Sequence, residues 1–250
     1  MKKIIYLVIC WIALGCNTEG AWDCIQSSGA IQMREYKRLE AFNKILIFKR
    51  VKLIFREGPV QRVFVETGEN LFNEIRVRVE DSILKVSDRN SCNLVRDNVT
   101  KVFVMAPNID VIQNSSGLTV ESIGEINYES LTLIALDPEV DGEFQKNGDF
   151  KLDSLNVKFI GIEANGVSRF YLKGKARNCF FNITDGDVRV EASELETQTV
   201  DFFHRSTNKI IVKPADTLRG IITSLGDVIC LSRPPVVEVE ERFEGKLIFE

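Results

Sequence analysis

Apolar and polar residues alternate with a period of two over most of this 250-residue chain, the pattern of strands with one buried and one wet face. One short phrase, a small polar turn followed by an alternating run, organises the second half. It reads Asn147-Gly148-Asp149-Phe150-Lys151-Leu152, then Asn165-Gly166-Val167-Ser168-Arg169-Phe170, then Asp185-Gly186-Asp187-Val188-Arg189-Val190. It returns as Thr207-Asn208-Lys209-Ile210-Ile211-Val212 and as Leu225-Gly226-Asp227-Val228-Ile229-Cys230. The copies recur about every 20 residues, the spacing of stacked repeat architectures. Each repeat reads as two strands and two turns, the second strand holding Leu155 to Phe159, Cys179 to Ile183, Val200 to Phe202 or Val236 to Val239. One such coil buries too little surface to be stable alone, so the pattern predicts a stack with a continuous apolar column. Gly148, Gly166, Gly186, Asn208 and Gly226, with Asp149, Asp187 and Asp227, are the expected corner residues, since Gly, Asn and Asp tolerate or cap tight turns.

Upstream, alternating runs at Phe42–Ile47, Val51–Phe55, Gln61–Glu66, Ile75–Val79 and Ile83–Val86 are joined by short turns. They predict an antiparallel meander with one solvated face. Arg76 and Arg78, on one side of a strand, read as part of that face. The nearest thing to a helix, Met33 to Phe42, is short and weakly periodic. The expected fold is all-β: a meander over 41–106, then parallel β-helix or solenoid-like coils over 107–250, together one head domain spanning 41–250.

The first residues read as targeting signal. Lys2 and Lys3 precede an apolar run from Ile4 to Leu14, and small Gly15 precedes Cys16. That run is about half the ~20 residues a spanning helix needs, so residues 1–15 are expected to be a cleaved signal peptide. Cys16 would then be lipidated and 16–40 would be a tether; an ordinary secretory signal with Cys16 incidental is the competing reading. Stable anchoring takes two acyl chains, each methylene contributing about 0.8 kcal/mol. Of the other cysteines, Cys24 and Cys92 lie in polar, loop-like surroundings and are expected to pair, export permitting disulfides. Cys179 and Cys230 sit within apolar alternation and read as buried small hydrophobes.

Composition narrows the function. The formal charge of −4 becomes −6 without residues 1–15, which gives no electrostatic reason to bind nucleic acid. No cysteine or histidine spacing suits a metal, and no glycine-rich phosphate loop leads into a helix. The single histidine, His204, has no Gly-x-Ser-x-Gly turn with it and reads as structural. Glycosidases need only two carboxylates, so Asp149, Asp187 and Asp227, expected to stack along one corner on alternate coils, remain candidates for binding Ca²⁺ or a sugar, with Tyr171 as an aromatic contact. Turn chemistry is the plainer account of the same acids.

These residues resemble the auto-transporter adhesin head GIN domain family, secreted proteins that are mostly lipoproteins of Bacteroidota. The resemblance covers about residues 42–232 and is carried by Phe42-Asn43-Lys44-Ile45, by Val65-Glu66-Thr67-Gly68-Glu69-Asn70-Leu71, by the successive Gly-Asp-Val turns, and by Gly226-Asp227-Val228-Ile229 leading to Arg233-Pro234-Pro235. Arg205-Ser206-Thr207-Asn208 and Asn165-Gly166-Val167-Ser168 depart from the usual Gly-rich turns. The resemblance implies a β-helix-like domain at the cell envelope. The expected function is therefore a non-enzymatic lipoprotein exported to the outer membrane or cell surface, without cofactor, which contacts the membrane through its acyl anchor and an envelope protein or glycan through its head. A glycan-binding or polysaccharide-acting protein using the acidic residues is the alternative, and association with copies of itself is a further expectation.

Overall fold

The computed structural model describes residues 27–90, 99–136 and 145–250. The signal segment, Cys16, Cys24 and Cys92 lie outside them. The fold is all-β, with 62% strand in a mostly parallel, curled half-barrel sheet and an antiparallel region. In chain order the strands are β1 (Ile31–Glu35), β2 (Lys44–Phe48), β3 (Val51–Glu57), β4 (Arg62–Gly68), β5 (Ile75–Glu80), β6 (Ile83–Asp88), β7 (Thr100–Ala106), β8 (Val111–Ser115) and β9 (Val120–Ser122). They continue as β10 (Ser130–Ala135), β11 (Phe150–Ala164), β12 (Arg169–Ile183), β13 (Arg189–His204), β14 (Ile210–Val212), β15 (Pro214–Ile222), β16 (Val228–Cys230), β17 (Val236–Glu241) and β18 (Leu247–Phe249).

Two ladders run through this sheet. One passes through β1, β4, β7, β3 and β9, then the first halves of β11, β12 and β13, and ends in β14, β16 and β18. The other passes through β5, β6, β2, β8 and β10, then the second halves of β11, β12 and β13, and ends in β15 and β17. Among the described residues only β1–β4, β4–β7 and β5–β6 pair antiparallel. In the first ladder Phe150 partners Phe170, Phe170 partners Val190, Val190 partners Ile210, and Ile210 partners Val228. The repeat spacing read from the sequence is thus the spacing of the hydrogen-bonded register.

Each row of partners is chemically continuous. Phe150, Phe170, Val190, Ile210 and Val228 are all fully buried, and the Phe150 and Phe170 rings stack with centroids 4.9 Å apart. Across the core, Ile45, Ile112, Leu133, Ile162, Phe181 and Phe202 form the matching row of the second ladder. Outward positions carry ion pairs between partners: Lys173 with Glu194 (2.7 Å), Lys101 with Glu66 (2.8 Å), and Arg219 with both Glu238 (2.7 Å) and Asp201 (3.4 Å). The long strands cross from one ladder to the other through register shifts, at Leu152/Leu155 and at Tyr171/Lys173. Gly174 (φ 111°) sits at this shift, where a Cβ would collide with the Leu155 backbone.

Three expectations are corrected. The 41–106 region is antiparallel only in part: β4 pairs antiparallel with β7 and β5 with β6, but β2 and β3 do not pair with each other and run parallel to β6 and β8, and to β7 and β9. The Lys49-Arg50 link has positive φ at both residues, 41° and 62°. It turns the chain from one ladder to the other, so Ile47 and Val51 reach a common core from different ladders. The antiparallel hairpin in this region is β5–β6, turning at Asp81 and Ser82. Second, Ile31–Glu35, within the stretch expected to be tether, is strand β1 on β4; the weak helical pattern from Met33 was its alternation. Third, the turn after Gly68 is a 3-10 helix, Glu69–Glu74, which buries Leu71 and Phe72.

Gly186 (φ 87°) lies at a corner where a Cβ would strike the Gly166 carbonyl one coil below. Gly186→Ala is expected to cost about 2–3 kcal/mol, a left-handed residue made chiral and a coil contact pushed apart. Phe150→Ala, which opens the stacked row, is expected to cost about 3–5 kcal/mol. Denaturant unfolding midpoints check both; a Gly186→Ala midpoint equal to wild type would remove the corner constraint.

Candidate functional site

The corners are built by backbone hydrogen bonds from the turn of each sequence repeat to that of the one before it. The carbonyls of Lys146, Gly166, Gly186, Ser206 and Ser224 accept from the N–H groups of Val167 (3.0 Å), Asp187 (2.8 Å), Thr207 (2.9 Å), Gly226 (2.9 Å) and Gly245 (2.9 Å). Counting back from the strand registers, Gly166 and Gly186 share one row, while Gly148, Asn208 and Gly226 share another, two residues further along.

The same count separates the acids. Asp149 and Asp227 occupy one row whose intervening members are Arg169, Arg189 and Lys209, and Asp187 lies two residues out of that row. The expected stack of three carboxylates on alternate coils is therefore not formed. Each carboxylate instead serves its own corner. Asp149 Oδ1 accepts the backbone N–H of Arg169 (2.8 Å) and Asp227 Oδ1 that of Lys246 (3.0 Å). Asp187 accepts from the Thr207 hydroxyl (2.9 Å) and the Asn208 amide (3.3 Å), with Arg169 3.7 Å away. Among the described residues no group of three or more His, Cys, Asp or Glu side chains is placed to hold a metal ion. Tyr171, 36% exposed, lies on the outer face of the first ladder between Lys151 and Glu191, away from the corner acids.

His204 ends β13 with its ring wholly buried. Its ring nitrogens lie beside the backbone of Asn208 and Gly226 without a hydrogen bond of good geometry. Burial pushes its pKa down to about 4, against the opposing pull of those backbone groups and of the Asp227 carboxylate. A nearby hydroxyl, that of Ser206, is committed to the Val188 carbonyl (2.9 Å). The geometry is that of a neutral core histidine. Cys179 is similar: buried, 3.4 Å from the Thr197 hydroxyl, its thiol pushed up to about 12 by burial. Cys179 and Cys230 are both free thiols.

Among the surface concavities of the described residues, two gather side chains from strands far apart in sequence. An apolar groove of about 300 Å³ on the outer face of the first ladder is lined by Met33, Ile54, Phe64, Phe103, Met105 and Ile123, with Arg56 and Arg62 at its rim. A smaller polar cleft of about 170 Å³ lies where β5 and β6 meet the corner after β2. Apolar and basic residues were visible along the chain; the strand partners that gather them were not.

With this geometry in hand, comparison with known proteins is informative. Residues 41–234 match the family described as "Putative auto-transporter adhesin, head GIN domain". The chain belongs to that family. No curated protein matches the sequence. Among solved structures, a putative adhesin from Bacteroides fragilis is similar with a TM-score of 0.78 at 18% identity, covering 90% of this chain and 100% of its own. A putative adhesin from Parabacteroides merdae gives 0.63 at 14% identity, covering 90% and 98%. A putative lipid binding protein from Parabacteroides distasonis gives 0.64 at 13% identity, covering 90% and 99%. At these identities the likeness carries the fold: this GIN domain shares its curled parallel sheet with them.

The buried histidine yields a pH prediction. His204 is neutral when folded but takes a proton on unfolding below about pH 6.5. Its contribution to stability is thus complete above about 6.5 and is lost as pH falls toward about 4, some 3 kcal/mol in all. Denaturant unfolding at several pH values should show wild type losing that much more than His204→Leu over this interval. Parallel pH curves for the two proteins would contradict it.

Proposed function

We propose that this chain is a non-enzymatic, envelope-anchored adhesion or interaction module whose head is a β-solenoid of stacked coils. Family membership supports the adhesion role. The observation that carries it here is the shape of the outer surface. Strands β11, β12 and β13, of 15, 15 and 16 residues, lie side by side in parallel and present a broad, ion-paired lateral face. Such a face suits a partner laid across several coils, as extended surfaces do in other repeat proteins.

In this reading residues 1–15 direct export and Cys16 takes the lipid that holds the head at the outer membrane or cell surface, while a Cys24–Cys92 disulfide fastens the amino-terminal segment to the body. The partner is an envelope protein or a glycan. The alternative, polysaccharide cleavage by the corner acids, is disfavoured by their geometry: Asp149, Asp187 and Asp227 each spend their oxygens on neighbouring coils.

A binding screen of the full chain against envelope polysaccharides and envelope proteins, with product detection, tests this. Saturable binding without released oligosaccharide is expected. Turnover that disappears in Asp187→Asn would overturn the non-enzymatic reading, and absence of binding to every surface component would overturn the adhesion reading.

A further inference from the structure

The polar cleft beside β5 is lined by Phe48, Lys49, Arg76, Arg78, Lys85, Val86, Ser87 and Arg89. Five of these eight are basic and none is acidic, in a chain whose formal charge is −4. Three segments deliver the cations: Arg76 and Arg78 from β5, Lys85 and Arg89 from β6 and the residue that follows it, and Lys49 from the left-handed corner after β2. Arg78 and Lys85 are direct register partners on the β5–β6 hairpin, and like charges directly opposite each other are destabilising. Like-charged partners recur at Lys52–Lys101 and Arg169–Arg189, but there each cation has an acid of its own, Glu121, Glu66, Asp187 and Glu191 respectively.

One acid, Glu80 at the end of β5, serves both Lys85 (2.8 Å) and Arg78 (2.9 Å); the hydrogen bond from Lys85, with the charges of both cations, holds its carboxyl below the usual range. Arg76 donates to the backbone carbonyl of Asn73 (2.8 Å). Arg89 is exposed, and its side chain has no partner among the described residues. Among the described residues, Glu80 is the one carboxylate paired with any of Arg76, Arg78, Lys85 and Arg89, so these four cations alone leave an excess of positive charge. Guanidinium groups offer paired, planar donors that match the oxygens of a tetrahedral anion, and the Ser87 hydroxyl adds a neutral donor at the same place.

We propose that this cleft binds a sulfate or phosphate group carried on a saccharide. Its volume of about 170 Å³ admits one such group at a time. A bilayer headgroup offers the same oxyanion, but surfaces that settle on membranes pair basic residues with apolar ones that enter the lipid. None of the cleft's lining residues is among the exposed large hydrophobic side chains, so the saccharide is the carrier that fits. The choice of carrier rests on the adhesion reading; capture of the oxyanion stands without it. A plainer account of the same charges is that they guard the free edge of β5 against pairing with another chain.

The test compares the full chain with the cleft variant Arg78→Gln/Arg89→Gln and with Lys158→Gln/Lys175→Gln, which removes the same charge from the lateral face. Immobilised dextran sulfate, neutral dextran, and phosphatidylglycerol and phosphatidylcholine vesicles are the probes, with inorganic phosphate as competitor. Wild type and the lateral-face variant should bind dextran sulfate, not dextran, and be displaced by phosphate, while the cleft variant binds about tenfold more weakly. Phosphate should raise the Tm of wild type and leave that of the cleft variant unchanged; the phosphate-free Tm of the variant should not fall, which shows that it is folded. Equal dextran sulfate binding by all three proteins would overturn the proposal, as would a cleft variant that only gains self-association. Cleft-dependent binding to phosphatidylglycerol vesicles without binding to dextran sulfate would overturn the saccharide as carrier. Dextran sulfate binding by a protein that fails on every envelope component would keep the site and remove the adhesion reading.

Discussion

The backbone hydrogen bond from one parallel strand to the next is the constraint on which the rest of this molecule depends. A parallel strand cannot pair its N–H and C=O groups within its own repeat, so each needs a neighbour elsewhere in the chain, which from Phe150 onward lies about 20 residues away. Once Phe150 lies over Phe170 and Phe170 over Val190, side chains in each row become neighbours and must suit one another. A slip of one residue would turn the buried phenylalanines outward and the charged residues inward. Variation in coil length is tolerated only where it leaves the strands alone, at the corners and at the shifts beside Leu155 and Gly174.

The rows divide the work by the direction in which they face. Inward rows provide burial, each large apolar side chain contributing roughly 1.5–3 kcal/mol. Outward rows provide exposed ion pairs, each contributing between about 0 and 1 kcal/mol. Those pairs add little stability but penalise wrong registers, since a shift by one or two positions breaks the match of signs. Corner rows hold Asp149, Asp187 and Asp227, whose carboxylates cap the next coil. On the hairpin β5–β6, by contrast, the partners Arg78 and Lys85 share the single acid Glu80.

Much of this was legible in the sequence because the repeat and the register coincide. The alternation around Phe150, Phe170, Val190 and Ile210 located strands that the structure contains, and the phrase spacing anticipated their stacking. Pairing direction was not legible. A period of two says which residues face inward, not which strand lies alongside, so Phe42–Phe55 suggested a hairpin although Lys49-Arg50 is a corner between ladders. The acids misled for a related reason: Asp187 belongs to the same phrase as Asp149 and Asp227 but lies two residues out of their register row. The basic cleft was visible only as Arg76 and Arg78, because Lys49, Lys85 and Arg89 join them through pairings with no local signature.

Cysteine cross-linking of outward positions tests the parallel register most directly. In the stacked arrangement Tyr171 partners Glu191, whereas a hairpin turned at residues 185–187 would set Tyr171 opposite Asp201. Tyr171→Cys with Glu191→Cys should cross-link rapidly and completely through a short bis-thiol reagent, and Tyr171→Cys with Asp201→Cys should not. The reverse outcome would contradict the stack, and with it the rows, the corners and the surfaces built upon them.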